Sequence, residues 1–143
     1  MAGDGQVWFV DAAHCVYGTY LCCLWSVLRV FVRAASGRQR FNVLGAWNAV
    51  TRGFVSVTNT TVVNTDTMCE LPRRIAAARL AGPATVVLDN ARYQRNAVVQ
   101  GLAAELSITL LYLPSYSPNL NLIERLWRFL KRESVYGKYH PNF

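Results

Sequence analysis

Hydrophobic and polar positions divide the chain into two parts with different periodicities. Over the first 63 residues, runs of β-branched and aromatic residues alternate with turn-forming residues, which is typical of strands joined by hairpins. The predicted strands cover residues 6–10, 17–32 (one or two strands), 41–49 and 53–61. This part of the sequence therefore predicts a β-meander.

The pattern changes after residue 63, where apolar residues recur at helical spacing. We predict a helix that is capped by Asp66 or Thr67 and runs to about Leu80. Further helices are predicted over residues 96–106 and from about 119 to 134, and short buried strands over residues 84–88 and 108–113. Strands followed by alternating helices and strands predict an α/β fold, with a mixed sheet flanked by helices in one domain over residues 1–143.

Composition adds a charge argument to this picture. The chain has 15 Lys and Arg against 8 Asp and Glu, a net charge of +7, which points to a polyanionic partner. Its hydrophobic content of 52% excludes a disordered chain. None of the cysteines forms a C-x-x-C pair, so buried thiols in a reducing compartment are favoured over a zinc site. The four are Cys15, Cys22, Cys23 and Cys69.

The sequence carries no secretory pattern at its start, and its longest apolar run covers only residues 20–25. That run is far short of the ~20 residues that a membrane span needs. We therefore expect a cytoplasmic protein with no membrane partner.

Three acidic residues occupy special places in the predicted elements. Asp11 is predicted to end the first strand, Asp89 to end the strand over residues 84–88, and Glu124 to lie in the first turns of the last helix. Ligands collect at the carboxyl ends of strands in such sheets, and carboxylates suit Mg²⁺ or Mn²⁺. Two such ions can activate an attacking oxygen and stabilise a leaving one. The competing interpretation is that Asp89 and Asn90 form only a turn.

The last predicted helix has a broad apolar face and a charged arc. The apolar face holds Leu120, Ile123, Leu126, Trp127 and Leu130. Glu124 shares about 120° of the opposite, exposed arc with four bases. These are Arg125, Arg128, Lys131 and Arg132. The arc is either a metal-binding carboxylate edged by phosphate-binding cations, or a solvated face with a Glu124–Arg128 ion pair worth only ~0.3–0.5 kcal/mol.

Two segments carry a specific resemblance. Residues 88–93 (Leu-Asp-Asn-Ala-Arg-Tyr) and residues 113–127 strongly resemble the DDE transposases, most closely the bacterial insertion-sequence branch of the mariner superfamily. Residues 9–14 resemble the first acidic motif of that family, and residues 42–46 resemble its central strand. Asp89 and Glu124 have 34 residues between them, a spacing that the family uses.

The resemblance implies an RNase H-like fold in which Asp11, Asp89 and Glu124 are the catalytic residues and bind two divalent ions, Mg²⁺ or Mn²⁺. It implies DNA strand cleavage and then strand transfer during transposition, with transposon ends and target DNA as partners. It also implies a homodimer in the active complex and a nucleoid-associated location. The expected DNA-binding residues are Arg92, Arg125, Arg128, Lys131 and Arg132.

The sequence departs from the family pattern in two places. The helix-turn-helix region that normally precedes the catalytic domain has no counterpart in the ten residues before Asp11, and Leu122 stands where many members have Pro. Two alternatives therefore stay open at this point. One is a truncated, non-catalytic remnant that binds DNA or an intact transposase. The other is an RNase H-like nuclease that cleaves without joining.

Overall fold

A single sheet organises the chain. The computed structural model describes residues 5–16, 27–31, 39–78, 82–115, 117–134 and 136. The strands are β1 (Gln6–Val16), β2 (Arg40–Asn48), β3 (Phe54–Asn59), β4 (Ala84–Leu88) and β5 (Ile108–Tyr112). They lie in the order β3-β2-β1-β4-β5, with β1, β2 and β3 antiparallel and β1, β4 and β5 parallel. The predicted meander and mixed sheet are both confirmed.

Helices cover both faces of the sheet. They are α1 (Thr65–Ala78), α2 (Ala97–Glu105) and α3 (Ile123–Ser134), with short 3₁₀ turns at Arg92–Arg95 and Pro118–Leu120. α1 and α2 contact each other and pack over the main core, whereas α3 packs against β1 and β2 on the other face. This arrangement is the RNase H-like fold that the family resemblance implies.

Alternation along β1 explains how one strand serves two cores. Trp8 and Val10 are buried in the main core under α1 and α2. Phe9 and Ala13 belong to the smaller cluster that α3 covers. Because successive side chains point to opposite faces, Asp11 lies on the face that α3 covers.

The helix starts differ from the predicted ones. α1 begins at Thr65, and its cap is Asn64, whose Oδ1 accepts hydrogen bonds from the backbone N–H and the hydroxyl of Thr67 at 3.0 Å each. The predicted cap at Asp66 or Thr67 is therefore wrong. α3 begins at Ile123 rather than near residue 119, because the 3₁₀ turn occupies the residues before it.

The apolar face of α3 is narrower than predicted. Ile123 and Trp127 are buried and Leu126 is half-buried, but Leu120 and Leu130 are exposed. The buried contacts of α3 with the sheet are made by Ile123 and Trp127, and the apolar positions at the edges of this face are only partly covered.

Two strand predictions also need correction. β5 was predicted to be buried, but it lies at the edge of the sheet, so Leu111 keeps 52% of its surface exposed. Residues 42–46 lie on β2, and the central strand is β1. The predicted strands over residues 17–32 fall mostly outside the described residues, and the described residues 27–31 are not in a strand.

In the described part of the chain, the cysteines are free thiols and the helices are not membrane spans. Cys69 is a buried free thiol and Cys15 a half-buried one, while Cys22 and Cys23 lie outside the described residues. In the ranges given above, every helix is too short or too polar to cross a membrane.

Candidate functional site

Asp11 and Asp89 lie near each other at the carboxyl end of β4. Asp11 is the sixth residue of β1 rather than its last, because β2 pairs with β1 as far as Val16. The parallel pairing of β1 with β4 stops at Phe9 and Val87. Asp89 directly follows β4, two residues past that last pair, and lies near enough to Asp11 for its charge to act on that carboxyl group.

Glu124 lies between two clefts at the same end of the sheet. We name them by their other acid: the Asp89 cleft has a volume of about 380 Å³ and the Asp11 cleft about 290 Å³. The side chain of Glu124 lines both, so it is half-buried rather than on an exposed arc. The Asp89 cleft is also lined by Asn90, Ser115 and Asn121, and the Asp11 cleft by Trp127, Arg128, Lys131 and Tyr136.

The environment of Asp11 disfavours its charged form. Burial, and to a smaller extent the negative charges of Asp89 and Glu124, together raise the pKa of Asp11 from 3.8 to about 6. A hydrogen bond from the backbone of Ala12 and the charge of His14 oppose the shift. The site therefore concentrates negative charge in a partly desolvated place.

Asp89 also organises the turn that follows β4. Its Oδ1 accepts a hydrogen bond from the backbone N–H of Ala91 at 3.4 Å, so the turn interpretation holds alongside the site. The next residue, Asn90, donates from Nδ2 to the hydroxyl of Ser115 at 3.2 Å and so ties this turn to the loop before α3. Burial, and then the charge of Asp89, raises the pKa of Tyr93 to about 12, so this phenol stays protonated.

The five basic residues that were predicted to bind DNA differ in their distance from the two clefts. Arg128 and Lys131 line the Asp11 cleft. Arg92 and Arg125 are exposed and line neither cleft. Arg132 bonds Glu133 through Nε at 3.2 Å and lies over the ring of Phe129.

The alternative ion pair on α3 is not formed. Among the described side chains, the ion pairs join Arg74 to Glu70 and Arg132 to Glu133, and Glu124 takes part in neither. Glu124 therefore lines the two clefts without an ion-pair partner among the described side chains.

Sequence reasoning missed two residues that shape the site. Asn121 is only 3% exposed and donates from Nδ2 to the backbone oxygen of Val10 at 3.1 Å. Gly45 pairs with Asp11 across β1 and β2, and Trp127 packs over it. No sequence signal separates the buried Asn121 from the exposed Asn119 two residues earlier, because both stand in the same polar and apolar alternation.

The acids converge without forming a closed metal shell. Within the described ranges, no three His, Cys, Asp or Glu side chains lie close enough together to form a ligand group for a metal ion. What the described residues provide is a set of hard oxygen donors facing two adjoining clefts.

Solved structures share this fold. The Mos1 transposase paired-end complex with left transposon end matches with a TM-score of 0.78 at 14% identity, over 96% of this chain and 44% of that chain. The Mos1 transposase catalytic domain with Raltegravir and Mg matches with a TM-score of 0.67 at 12% identity, over 95% of this chain and 64% of that chain. A simian T-cell lymphotropic virus intasome, in complex with PP2A regulatory subunit B56 gamma, matches with a TM-score of 0.62 at 18% identity, over 89% of this chain and 38% of that chain.

The chain thus spans less than two thirds of each of these solved chains, and at such identities the likeness shows the fold alone. No curated protein matches the sequence significantly. The family described as DDE superfamily endonuclease matches residues 7–143, nearly the whole sequence. The chain therefore belongs to the DDE superfamily endonucleases.

Proposed function

We propose that residues 1–143 are the catalytic domain of a DNA transposase, which cleaves a DNA strand and joins its 3′ end to a target. One observation carries the proposal: Asp11, Asp89 and Glu124 converge on two adjoining clefts, and Glu124 is shared between them. Membership of the endonuclease family supports phosphodiester chemistry at this place.

The donor chemistry of the site fits a divalent cation. Carboxylate oxygens are the ligands that Mg²⁺ and Mn²⁺ prefer. The pKa of Asp11 is raised by burial first and then by the negative charges of Asp89 and Glu124, and a bound cation would oppose both effects. Mg²⁺ often keeps waters and relies on substrate phosphate to complete its shell, which agrees with acids that converge without closing around an ion. We propose Mg²⁺ or Mn²⁺, two ions in all, held by Asp11, Asp89 and Glu124.

Each side chain has a distinct task in this proposal. When bound, the two ions would activate the attacking oxygen and stabilise the leaving one. Glu124 lines both clefts and would help to hold both ions, while Asp89 and Asp11 each line one cleft and would hold an ion there. Arg128 and Lys131 would hold the DNA backbone beside Asp11, and Arg92, Arg125 and Arg132 would contact phosphates farther out.

DNA is the proposed partner. The fold neighbours include a Mos1 transposase complex with a transposon end and another with Mn, which supports DNA and a divalent ion for this chain as well. The net charge of +7 agrees with such a partner. A single copy of the chain does not test the homodimer, which stays a prediction, as does the nucleoid-associated location.

Metal binding tests the proposed site. Calorimetric titration with Mn²⁺ at neutral pH should show weak binding by the parent and none by Asp89→Asn. Asp66→Asn, which removes an exposed carboxylate in the first turn of α1, is the matched control and should bind like the parent. Equal binding by the parent and Asp89→Asn would refute the assignment.

A further inference from the structure

Asn121 connects the backbones that carry two of the acids. It follows the 3₁₀ turn Pro118–Leu120 and precedes α3. Its Nδ2 donates to the carbonyl oxygen of Val10, the residue directly before Asp11, at 3.1 Å. Its own carbonyl oxygen accepts from the backbone N–H of Glu124 at 3.2 Å. One buried residue therefore joins the strand of Asp11 to the first turn of Glu124, across 111 positions of sequence.

The Val10 carbonyl is available because β4 ends its pairing early. The carbonyl of Val7 accepts from Ala49, beyond the end of β2, so it points to the β2 side of β1. Carbonyls of successive strand residues point to alternate sides, which directs the Val10 carbonyl to the β4 side. The pairing with β4 stops one residue earlier, at Phe9 and Val87. The amide of Asn121 therefore takes the place of the backbone donor that a longer β4 would supply.

The other end of the Asn121 amide is buried and unpaired among the described residues. Since Nδ2 must face the Val10 carbonyl, Oδ1 points the other way, and it is buried without a hydrogen-bond partner among the described residues. Asn121 lines the Asp89 cleft together with Asp89 and Glu124. A buried polar oxygen without a partner is rare in folded proteins, so its retention at this cleft calls for a functional reason.

We propose that Asn121 is a positioning residue, which fixes Glu124 at the working distance from Asp11 by binding both backbones; the inference rests on the proposed function. Asn121 itself supplies no charge to the clefts. Its effect on chemistry passes through the carboxylate of Glu124, which moves with the first turn of α3.

The affinity of the folded protein for Mn²⁺ separates this role from a merely structural one. Free Mn²⁺ is measured by electron paramagnetic resonance in titrations of the parent, Asn121→Leu, Asn119→Leu and Glu124→Gln. Leu has the same branched arrangement of heavy atoms as Asn, although its methyl groups are bulkier, and it cannot donate to Val10. Asn119 is exposed on the same turn, so its substitution is the control for changing this segment. Circular dichroism at the titration temperature verifies that each variant is folded.

We expect Asn121→Leu to bind Mn²⁺ at least about tenfold more weakly than the parent, as residues that orient metal ligands typically do. Asn119→Leu should bind like the parent, and Glu124→Gln should lose binding. If Asn121→Leu does not fold, Asn121→Ala serves instead, because the smaller side chain lets water reach the Val10 carbonyl; the same loss is expected.

Two results would overturn the inference, and they are distinguishable. Parental affinity in a folded Asn121→Leu or Asn121→Ala, with binding lost in Glu124→Gln, would leave the metal site standing and make Asn121 purely structural. Equal binding by the parent and Glu124→Gln would remove Glu124 from the site, so the proposed function would fail and Asn121 would have nothing to position.

Discussion

Gly45 leaves the space on β2 that the indole ring of Trp127 fills. A Cβ atom at position 45 would lie 2.7 Å from two carbons of that ring and 2.9 Å from the ring of Phe54. Trp127 also meets Phe54 edge to face, with centroids 5.9 Å apart, so the indole packs against both residues. Since Trp127 follows Glu124 by one turn of α3, this contact sets how closely Glu124 approaches Asp11.

Gly45→Ala should therefore destabilise the domain. The added methyl group must displace a buried, wedged indole, and overpacking of this kind typically costs about 1–3 kcal/mol. Urea unfolding followed by circular dichroism measures the change in the free energy of unfolding.

Gly101→Ala is the matched control for Gly45→Ala. Gly101 lies inside α2, and a Cβ atom there meets nothing within 4 Å, so Ala should stabilise the helix by about 0.5–1 kcal/mol. Equal effects of the two substitutions would show that the contact between Gly45 and Trp127 is not tight.

Asp11→Asn should stabilise the metal-free domain at neutral pH. Because the folded pKa of about 6 lies above the ordinary 3.8, the native state binds more protons than the unfolded state between these values. The free energy of unfolding therefore falls as the pH rises from about 4 to 6, by at most about 3 kcal/mol from this group.

Urea unfolding from pH 4 to pH 7, with a chelator present, checks this. The advantage of Asp11→Asn over the parent should grow through that window and then level off. Asp66→Asn is the matched control for removing one carboxylate. An advantage that does not change with pH would mean that Asp11 is not desolvated beside the other acids.

DNA binding should depend strongly on salt and little on sequence. If about four phosphates are neutralised, log K should fall against log salt with a slope of roughly −3.6, measured by fluorescence anisotropy. Arg128→Gln should flatten the slope by about 0.9, since Arg128 lines the Asp11 cleft. Arg132→Gln should change it less, because Arg132 already pairs with Glu133. The reverse order of the two effects would place the DNA elsewhere on α3.

Local patterns predicted most of the fold. Apolar β-branched runs marked β2, β3 and β4 to within a residue or two of their observed bounds, because each such run is covered by helices or neighbouring strands. The exposure of β5 and the length of β1 were not predictable in this way. Both depend on which strands are neighbours, and neighbours are set by pairing between distant segments.

The sequence identified the three acidic residues of the site, but it did not predict the strand positions and neighbouring residues that surround them. Asp11 drew attention as the first charge after an apolar run, although it lies mid-strand and lines a cleft on the face that α3 covers. Asn121 and Gly45 lie within segments that carry the family resemblance, but their individual roles gave no signal, because a buried amide and an absent Cβ acquire meaning only through partners far away in sequence.

The central claim is that Glu124 takes part in metal-dependent DNA cleavage, and nicking of supercoiled plasmid DNA in the presence of Mn²⁺ tests it most directly. Glu124→Gln keeps the volume of the side chain and removes its charge, while Glu105→Gln makes the same change at an exposed residue of α2. We predict that the parent and Glu105→Gln nick at equal rates and that Glu124→Gln is slower by more than about 100-fold. A residue that only orients a metal ligand typically changes activity by about 10–100-fold, so a larger loss indicates a direct role for Glu124. If Glu124→Gln nicks as fast as the parent, Glu124 is only a helix residue beside two clefts, and the three-acid mechanism is wrong.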